Sequence, residues 1–454
     1  VILDADPRNN FDVLLDTQAH IQLAVKDGQI VRNQLLAVPE PFPGNQEPEA
    51  ATEWFAYEPP PIMLPTAYRN ADKWNRWETR YVDGIFLGAL ALDRVRWFEQ
   101  DSASETEFGD LKEFNGGEIR GLRFGAVGTL NFDRPWVYTL FAATNAFDQG
   151  FEQDRSDDFT WFDVRLDIPL WGGATLSVGK QKEPVSLERL TPLIFLPMQE
   201  RAAAVDAMLP ARNTGMLLSG NAFDKRVSWA GGVFNNWLDD DLSISDSATQ
   251  FVGRLTAIPL VSRDESSIVH LGLGLRATNA KRGVRYFTEP EFNLAPVFVD
   301  TGELPADSAY TWDLEAAWRR GPLWLSGEYL KTHVDSPSIG DPTCSGYYFS
   351  GIWALTGEMR DYNKRSGVFG PPPVARSVYQ GGWGAWELMF RYSSVDLADG
   401  VVDGGRMNIL SAGLRWWLTR FISVDMNIRR VDLRRAGVDS ESSAFNTRLV
   451  LSLE

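Results

Sequence analysis

Alternation of apolar and polar residues is the strongest pattern along this chain. Between residues 162 and 168, the apolar side chains Phe162, Val164, Leu166 and Ile168 alternate with charged ones. The run 269–276 repeats the pattern, with leucine at positions 271, 273 and 275. A β-strand with this period has one apolar face and one polar face. Many such segments of roughly ten residues each are typical of a transmembrane β-barrel, with lipid outside and water inside.

Sixteen segments from Tyr81 onward show strand-like alternation. They are 81–98, 117–131, 135–146, 158–170, 174–183, 213–221, 227–238, 250–260, 267–279, 309–319, 323–334, 346–359, 384–396, 406–418, 421–432 and 444–453. Short connections, such as 131–134, mostly alternate with long ones, such as 184–212 and 281–308. The connection 360–383 is long although it should lie at the short-turn rim.

An even number of strands, with short turns at one rim and long loops at the other, is the plan of an outer-membrane barrel. Lipid offers no hydrogen bonds, so the last strand, 443–453, must pair with the first one near Tyr81. We therefore predict an all-β fold, a transmembrane antiparallel β-barrel of about 16 strands that spans residues 79–454.

Residues 1–78 differ from the rest of the chain. They are rich in proline and show weak alternation, apart from a possible short strand near Phe11 to Leu23. We predict an N-terminal periplasmic extension or a plug-like segment here, and a disordered linker is an equal alternative.

Composition narrows the function classes. The net charge of -17 argues against nucleic acid as a partner, because phosphate backbones require a basic surface. The longest apolar run, Gly84 to Leu92, is too short for a membrane helix. The 17 tryptophans suit aromatic belts at membrane interfaces. Composition alone favours a soluble β-sandwich or propeller with an aromatic core, and that class stays open as an all-β binding protein.

Enzymatic chemistry finds little support in the sequence. His20, His270 and His333 lie far apart and show no metal-ligand spacing. The single cysteine, Cys344, has no nucleophile signature around it and excludes an internal disulfide. We predict no catalytic residue, no metal and no cofactor, although a barrel enzyme such as an outer-membrane esterase stays a second class to test.

Basic residues on the polar strand faces are the candidates for an anion path. An anion-conducting pore needs arginine or lysine at its narrowest ring. Alternation places seven arginines on polar faces, of which the first five are taken as candidates: Arg165, Arg254, Arg276, Arg391, Arg415, Arg429 and Arg448. The loop 184–212 and the adjoining strand ends add Lys180, Lys182, Arg189, Arg201 and Arg212. Carboxylates share these faces, so each arginine either lines the pore or pairs with an acid, and both interpretations stay open at this point.

Three stretches of the sequence resemble a known family. The first is the run 179–188, Gly-Lys-Gln-Lys-Glu-Pro-Val-Ser-Leu-Glu, followed by Glu200-Arg201. The second begins at Val284-Arg285-Tyr286 and ends at 298–302, Phe-Val-Asp-Thr-Gly. The third joins 355–358, Leu-Thr-Gly-Glu, to 382–397. Together they are similar to the phosphate- and pyrophosphate-selective porins of Gram-negative outer membranes, over roughly residues 80–454.

This resemblance implies a trimeric sixteen-stranded barrel with inward-folded loops in an outer membrane. It implies passive diffusion of small hydrophilic solutes, with phosphate-like anions preferred, and contacts with outer-membrane lipid and with two further copies of the chain. The chain departs from the family pattern where many relatives place arginines and a histidine, at Phe287, Glu289, Asn293 and Val297. These departures remove positive charge from a long loop, so a general or cation-leaning porin is the alternative.

Overall fold

The computed structural model describes residues 2–3, 21–26, 29–33, 75–144, 159–236 and 247–453. The chain divides into two compact units, Val1–Trp54 and Phe55–Glu454. The described part of the first unit is an antiparallel sheet of Ile2–Leu3, Ile21–Lys26 and Gln29–Asn33. Most of the predicted extension, including the start of the strand near Phe11, lies outside the described residues. The periplasmic or plug-like role of residues 1–78 stays a prediction.

The second unit contains a closed antiparallel barrel whose described residues form sixteen long strands. In chain order these are β1 (Val82–Gln100), β2 (Gly116–Leu130), β3 (Trp136–Thr144), β4 (Phe159–Pro169), β5 (Thr175–Gln181), β6 (Asn213–Ala222), β7 (Val227–Asn235), β8 (Thr249–Val261), β9 (Ser267–Asn279), β10 (Ser308–Arg320), β11 (Leu323–Asp335), β12 (Thr343–Ala354), β13 (Ala385–Asp399), β14 (Val402–Thr419), β15 (Ile422–Arg435) and β16 (Val438–Leu453). Each strand pairs with the next one along the chain, which confirms the predicted fold class.

Pairing between β16 and β1 closes the cylinder. The register runs from Ser442 opposite Gln100 to Leu453 opposite Gly88. The three-residue strand Arg76–Glu78 adds a further pairing at the start of β1. A closed ring leaves no strand edge unpaired, which is the condition for crossing lipid with strands.

Side chains are arranged inside out relative to a soluble protein. On β10, Trp312 and Leu314 are 55% and 54% exposed, whereas Asp313, between them, and Glu315, which follows, are buried. On β9, Leu271, Leu273 and Leu275 are exposed and His270 is fully buried. An apolar outer belt around a polar interior is stable only where the outer medium is apolar.

Aromatic residues mark the two ends of this belt. Tyr329, Tyr347 and Tyr392 are exposed on the outer face toward the long-loop rim. Near the other rim, the indoles of Trp386 and Trp416 stack with centroids 5.0 Å apart, and both donate to the Trp383 carbonyl. Two aromatic girdles at the interfaces are typical of outer-membrane barrels.

The connections carry short helices and hairpins. The α-helices are α1 (Ser102–Phe108), α2 (Leu187–Leu190) and α3 (Ala203–Met208), and the 3-10 helices are Leu111–Phe114, Trp171–Gly173, Leu193–Phe195 and Val378–Gln380. Two-residue strands pair Phe287–Thr288 with Val299–Asp300, and Tyr362–Asn363 with Val368–Phe369. Within the described ranges, no helix combines the length and apolarity needed to cross a bilayer.

Candidate functional site

The connection between β5 and β6, residues 182–212, folds into the barrel. Its helix α2 is capped at the N-terminus by Ser186, whose Oγ accepts from the Arg189 backbone N–H (3.0 Å). Lys182 Nζ donates to the carbonyls of Arg189 (2.7 Å) and Leu190 (3.1 Å), at the other end of the helix. Leu187, Leu190 and most of α3 are buried, so this connection narrows the lumen, as its length predicted.

Two carboxylates of this loop are held by arginines of the barrel wall. Glu188 forms an ion pair with Arg391 of β13. Glu200 accepts from Arg120 of β2 (2.9 Å) and from Arg448 of β16 (2.5 Å). Burial alone would raise the pKa of Glu200, but Arg120 and Arg448 outweigh burial and hold the pKa at about 2. The loop is therefore clamped to the wall by charge-assisted hydrogen bonds.

The connection 280–307 reaches the same clamp from the long-loop rim. Glu291 accepts from Arg391 (3.2 Å) and from the Ser393 hydroxyl (2.5 Å). At two of the positions where the chain departs from the family pattern, side chains pack or bond within the protein. Asn293 donates to Glu118 (2.7 Å), and the Phe287 ring lies 4.9 Å from the Arg285 guanidinium.

A third segment enters the lumen from the short-turn rim. It is the hairpin 359–370, within the long connection 355–384 between β12 and β13. Arg254 of β8 donates to the Ser366 carbonyl (2.6 Å) and the Gly367 carbonyl (3.0 Å). The Tyr362 hydroxyl lies 2.7 Å from His270 Nδ1. These contacts hold the hairpin against the wall, so the lumen is narrowed from both rims.

A cavity of about 60 Å³ remains between the inward loop, the hairpin and the wall of strands β4 to β8. A single water molecule needs roughly 10–15 Å³ of such space, so the cavity has room for several small polar groups. Its ionisable lining is predominantly basic: Arg165, Lys182, Arg254 and Arg365 face a single carboxylate, Asp167. Hydroxyl groups complete it: Thr175, Ser177, Ser219, Ser228 and Ser366.

Three of the ten predicted basic residues meet in this cavity: Arg165, Lys182 and Arg254. Arg254 is bidentate to Glu315 (2.7 and 2.6 Å). Arg165 Nε donates to Asp167 (3.0 Å), while its Nη2 has no hydrogen-bond partner in the part of the chain that the structure describes. Arg165 therefore keeps one buried donor that no group among the described residues satisfies.

The remaining predicted residues lie elsewhere. Arg189 donates to the Val205 and Leu209 carbonyls, and Arg201 is buried with its guanidinium 3.5 Å from the Thr191 carbonyl. Four others contact carboxylates: Arg212 with Asp163 (3.1 Å), Arg276 with Glu183 (2.6 Å), Arg415 with Asp425 (2.6 Å) and Arg391 with Glu188. The geometry of these four arginines is that of pairing with an acid. Their ion pairs hold loops and neighbouring strands in place.

Lys180 differs from its predicted position. Its register partner on β4 is Val164, which belongs to the apolar outer face of that strand. Directly opposed residues share a sheet face, so Lys180 lies on the outer face of β5 rather than in the lumen. The register runs unbroken through Gly179, and Lys180 continues the outer row of Leu176 and Val178, so alternation along β5 itself places Lys180 outside.

Sequence reasoning missed Arg365 of the cavity and the clamp residues Arg120 and Arg360. Arg365 and Arg360 lie in the long connection at the short-turn rim, and that unexpected length was the available signal. Arg360 is bidentate to Glu387 (2.8 Å for both contacts). Arg120 lies beside an irregularity in the pairing of β2 with β1, where alternation no longer reports the face.

Comparison with known proteins identifies relatives of the whole barrel. The family model described as phosphate-selective porin O and P matches residues 93–451. Porin O of Pseudomonas aeruginosa is 23% identical over 358 residues, which cover 70% of this chain and 76% of that protein. An uncharacterized protein of Caulobacter vibrioides is 26% identical over 336 residues, 71% of this chain, and the match spans 64% of the relative's length.

Solved structures share the architecture. OmpF of Salmonella typhi superposes with a TM-score of 0.52 at 10% identity, covering 83% of this chain and all of that one. OmpT of Vibrio cholerae superposes with a TM-score of 0.51 at 9% identity, with the same coverage. At these identities the similarity concerns the fold.

Proposed function

The chain belongs to the family of phosphate-selective porins O and P of the Gram-negative outer membrane, and on this premise we propose that it forms a water-filled channel for small hydrophilic solutes. Passage is by passive diffusion, and anions such as phosphate are preferred over cations. The family and the fold support a channel rather than an enzyme, and we assign no catalytic residue. We extend the proposal to a homotrimer, as the family resemblance implies.

The charge balance of the cavity is the observation that carries the anion preference. Its lining has four cationic side chains and one carboxylate; Arg165 is paired with that carboxylate, Asp167, and Arg254 is paired with Glu315. Lys182 and Arg365 add further positive charge to the lining. Arginine and lysine can replace part of the hydration shell of an anion, and the five hydroxyl groups supply further donors. Because the contacts are few and one-sided, an anion can leave as readily as it enters.

A cation-leaning channel is the second candidate. Asp313 of β10 is fully buried, and neither carboxylate oxygen has a hydrogen-bond partner among the described residues. In Glu328 of β11, one carboxylate oxygen, Oε2, likewise has no hydrogen-bond partner among the described residues. These two acids offer acceptor oxygens on a different part of the lumen wall from the cavity.

Reversal potentials in planar bilayers distinguish the two candidates. Purified protein in a potassium chloride gradient should show permanently open channels. The sign of the reversal potential should show that chloride is more permeant than potassium. Adding phosphate on one side should reduce chloride current if phosphate occupies the cavity. A potential of cation sign would refute the anion preference and leave the channel itself standing, whereas no conductance at all would refute the channel.

A further inference from the structure

Two arginines lie on the outer face of the barrel, near the rim of the long loops. Arg94 and Arg96 of β1 are exposed and follow Phe86, Leu90 and Leu92 on the same face. β1 ends at Gln100, where the long connection 101–115 begins. The long loops of an outer-membrane barrel face the cell exterior, so both guanidinium groups lie toward the outer leaflet.

Neither arginine has a partner among the residues that the structure describes. Over the described residues, neither side chain takes part in an ion pair, hydrogen bond or ring contact. Two other exposed arginines of the outer face are compensated. Arg430 of β15 contacts Asp432 (3.1 Å) and Glu441 (2.7 Å), and Arg406 of β14 contacts Asp396 (2.8 Å).

The surroundings of the pair form a boundary between apolar and polar surface. Leu92 lies between Leu449 of β16 and Ile119 of β2, in the register of the sheet. One step toward the rim, Arg94 lies between Thr447 and Gly117. The next step pairs Arg96 with Phe445. Gly117, directly opposite Arg94, carries no side chain, and a Cβ there would meet only the Asp93 carbonyl oxygen, at 3.3 Å.

A charged side chain at the lipid boundary is costly unless its charge is met. The planar guanidinium group matches the geometry of a phosphate group and can donate two hydrogen bonds to it. Arg94 and Arg96, two residues apart on one face, can together donate more hydrogen bonds to a phosphate than either one alone. We propose that Arg94 and Arg96 bind the phosphorylated headgroup of an outer-leaflet lipid, whose acyl chains lie over the apolar row at Leu92. The site is separate from the channel and does not depend on its selectivity.

Lipid binding to the purified full-length protein in detergent tests this site. The probe is bisphosphorylated lipid A, and binding is measured by native mass spectrometry as a function of lipid concentration. The double variant R94A/R96A should bind about tenfold more weakly or worse, because two charge-assisted contacts are lost. Lipid A stripped of its phosphates should bind the wild type as weakly as the phosphorylated lipid binds the variant.

The matched control is R430A, which removes an exposed outer-face arginine that is already paired within the protein. It should bind lipid A like the wild type. Heat-modifiable electrophoretic mobility and single-channel conductance verify that each variant is folded. Equal loss in R430A, undiminished binding in R94A/R96A, or displacement of the lipid by millimolar inorganic phosphate would each overturn the proposal. Dissociation of an oligomer on the double substitution, with lipid binding intact, would show instead that a second copy of the chain covers this face.

Discussion

Arg165 combines a fixed charge with unused donor capacity at the cavity. Its partner Asp167 is held in turn by the Ser177 hydroxyl. In R165Q, the cavity loses one cation and exposes the charge of Asp167, so the ratio of anion to cation permeability should fall severalfold. Reversal potentials in a potassium chloride gradient measure this ratio. R165Q/D167N removes both charges and should recover part of the loss, whereas R406Q, on the outer face, should change nothing. Unchanged selectivity in R165Q would show that the cavity does not lie on the path of the ions.

The face of a residue could be predicted from alternation, but its height in the barrel and its partner could not. Arg165 and Arg254 follow intact alternation and reach the predicted lumen. Lys180 does not reach the lumen, because it shares the outer face of Leu176 and Val178 on β5. Whether an inward arginine faces an acid depends on the stagger between strands, as Arg415 and Asp425 on β14 and β15 show. Stagger is a property of pairing, which a single sequence does not contain.

The inward loop between β5 and β6 is held by Glu200, whose pKa of about 2 is below the 4.5 of an unperturbed glutamate. A depressed pKa means that the ionised form is favoured by folding. The clamp therefore contributes fully above about pH 4.5 and is lost as the pH falls toward 2, by at most roughly 3 kcal/mol. Single-channel current should be quiet at neutral pH and become noisy below about pH 3, as the loop begins to detach.

The variant E200Q should show this noise already at neutral pH, because Arg120 and Arg448 lose their shared anion. D206N is the control, since Asp206 belongs to α3 of the same loop and its carboxylate is 36% exposed. A wild-type current that stays quiet to pH 2, together with a quiet E200Q, would show that the loop is held by its apolar contacts instead.

Strands and loops differ in how far the sequence determines them. The sixteen predicted segments lie within a few residues of the observed strands, because alternation is a local signal that recurs along each strand. The hairpin 359–370 was recognisable only as an anomalous length. Its position depends on contacts with His270 and Arg254, which lie roughly a hundred residues earlier in the chain.

At the scale of the whole molecule, the outer belt and the lumen place opposite demands on the same strand. Leu314, at the middle of β10, is 54% exposed to the surroundings, while Asp313 and Glu315 beside it are buried. A soluble β-protein would be stabilised by a polar residue at such an exposed position. A barrel in lipid is destabilised by it, by ~2–4 kcal/mol for arginine at the bilayer midplane.

L314R should therefore lower the free energy of unfolding by roughly 2–4 kcal/mol in guanidinium titrations of protein reconstituted in phosphatidylcholine vesicles. V401R is the matched control, because Val401 lies in the turn between β13 and β14 and is 76% exposed. The same substitution there should cost little, since the turn is in water. Equal stability of L314R and wild type would mean that strand β10 does not face lipid. A loss of stability in V401R but not in L314R would mean that the lipid-facing belt lies nearer the long-loop rim than Leu314.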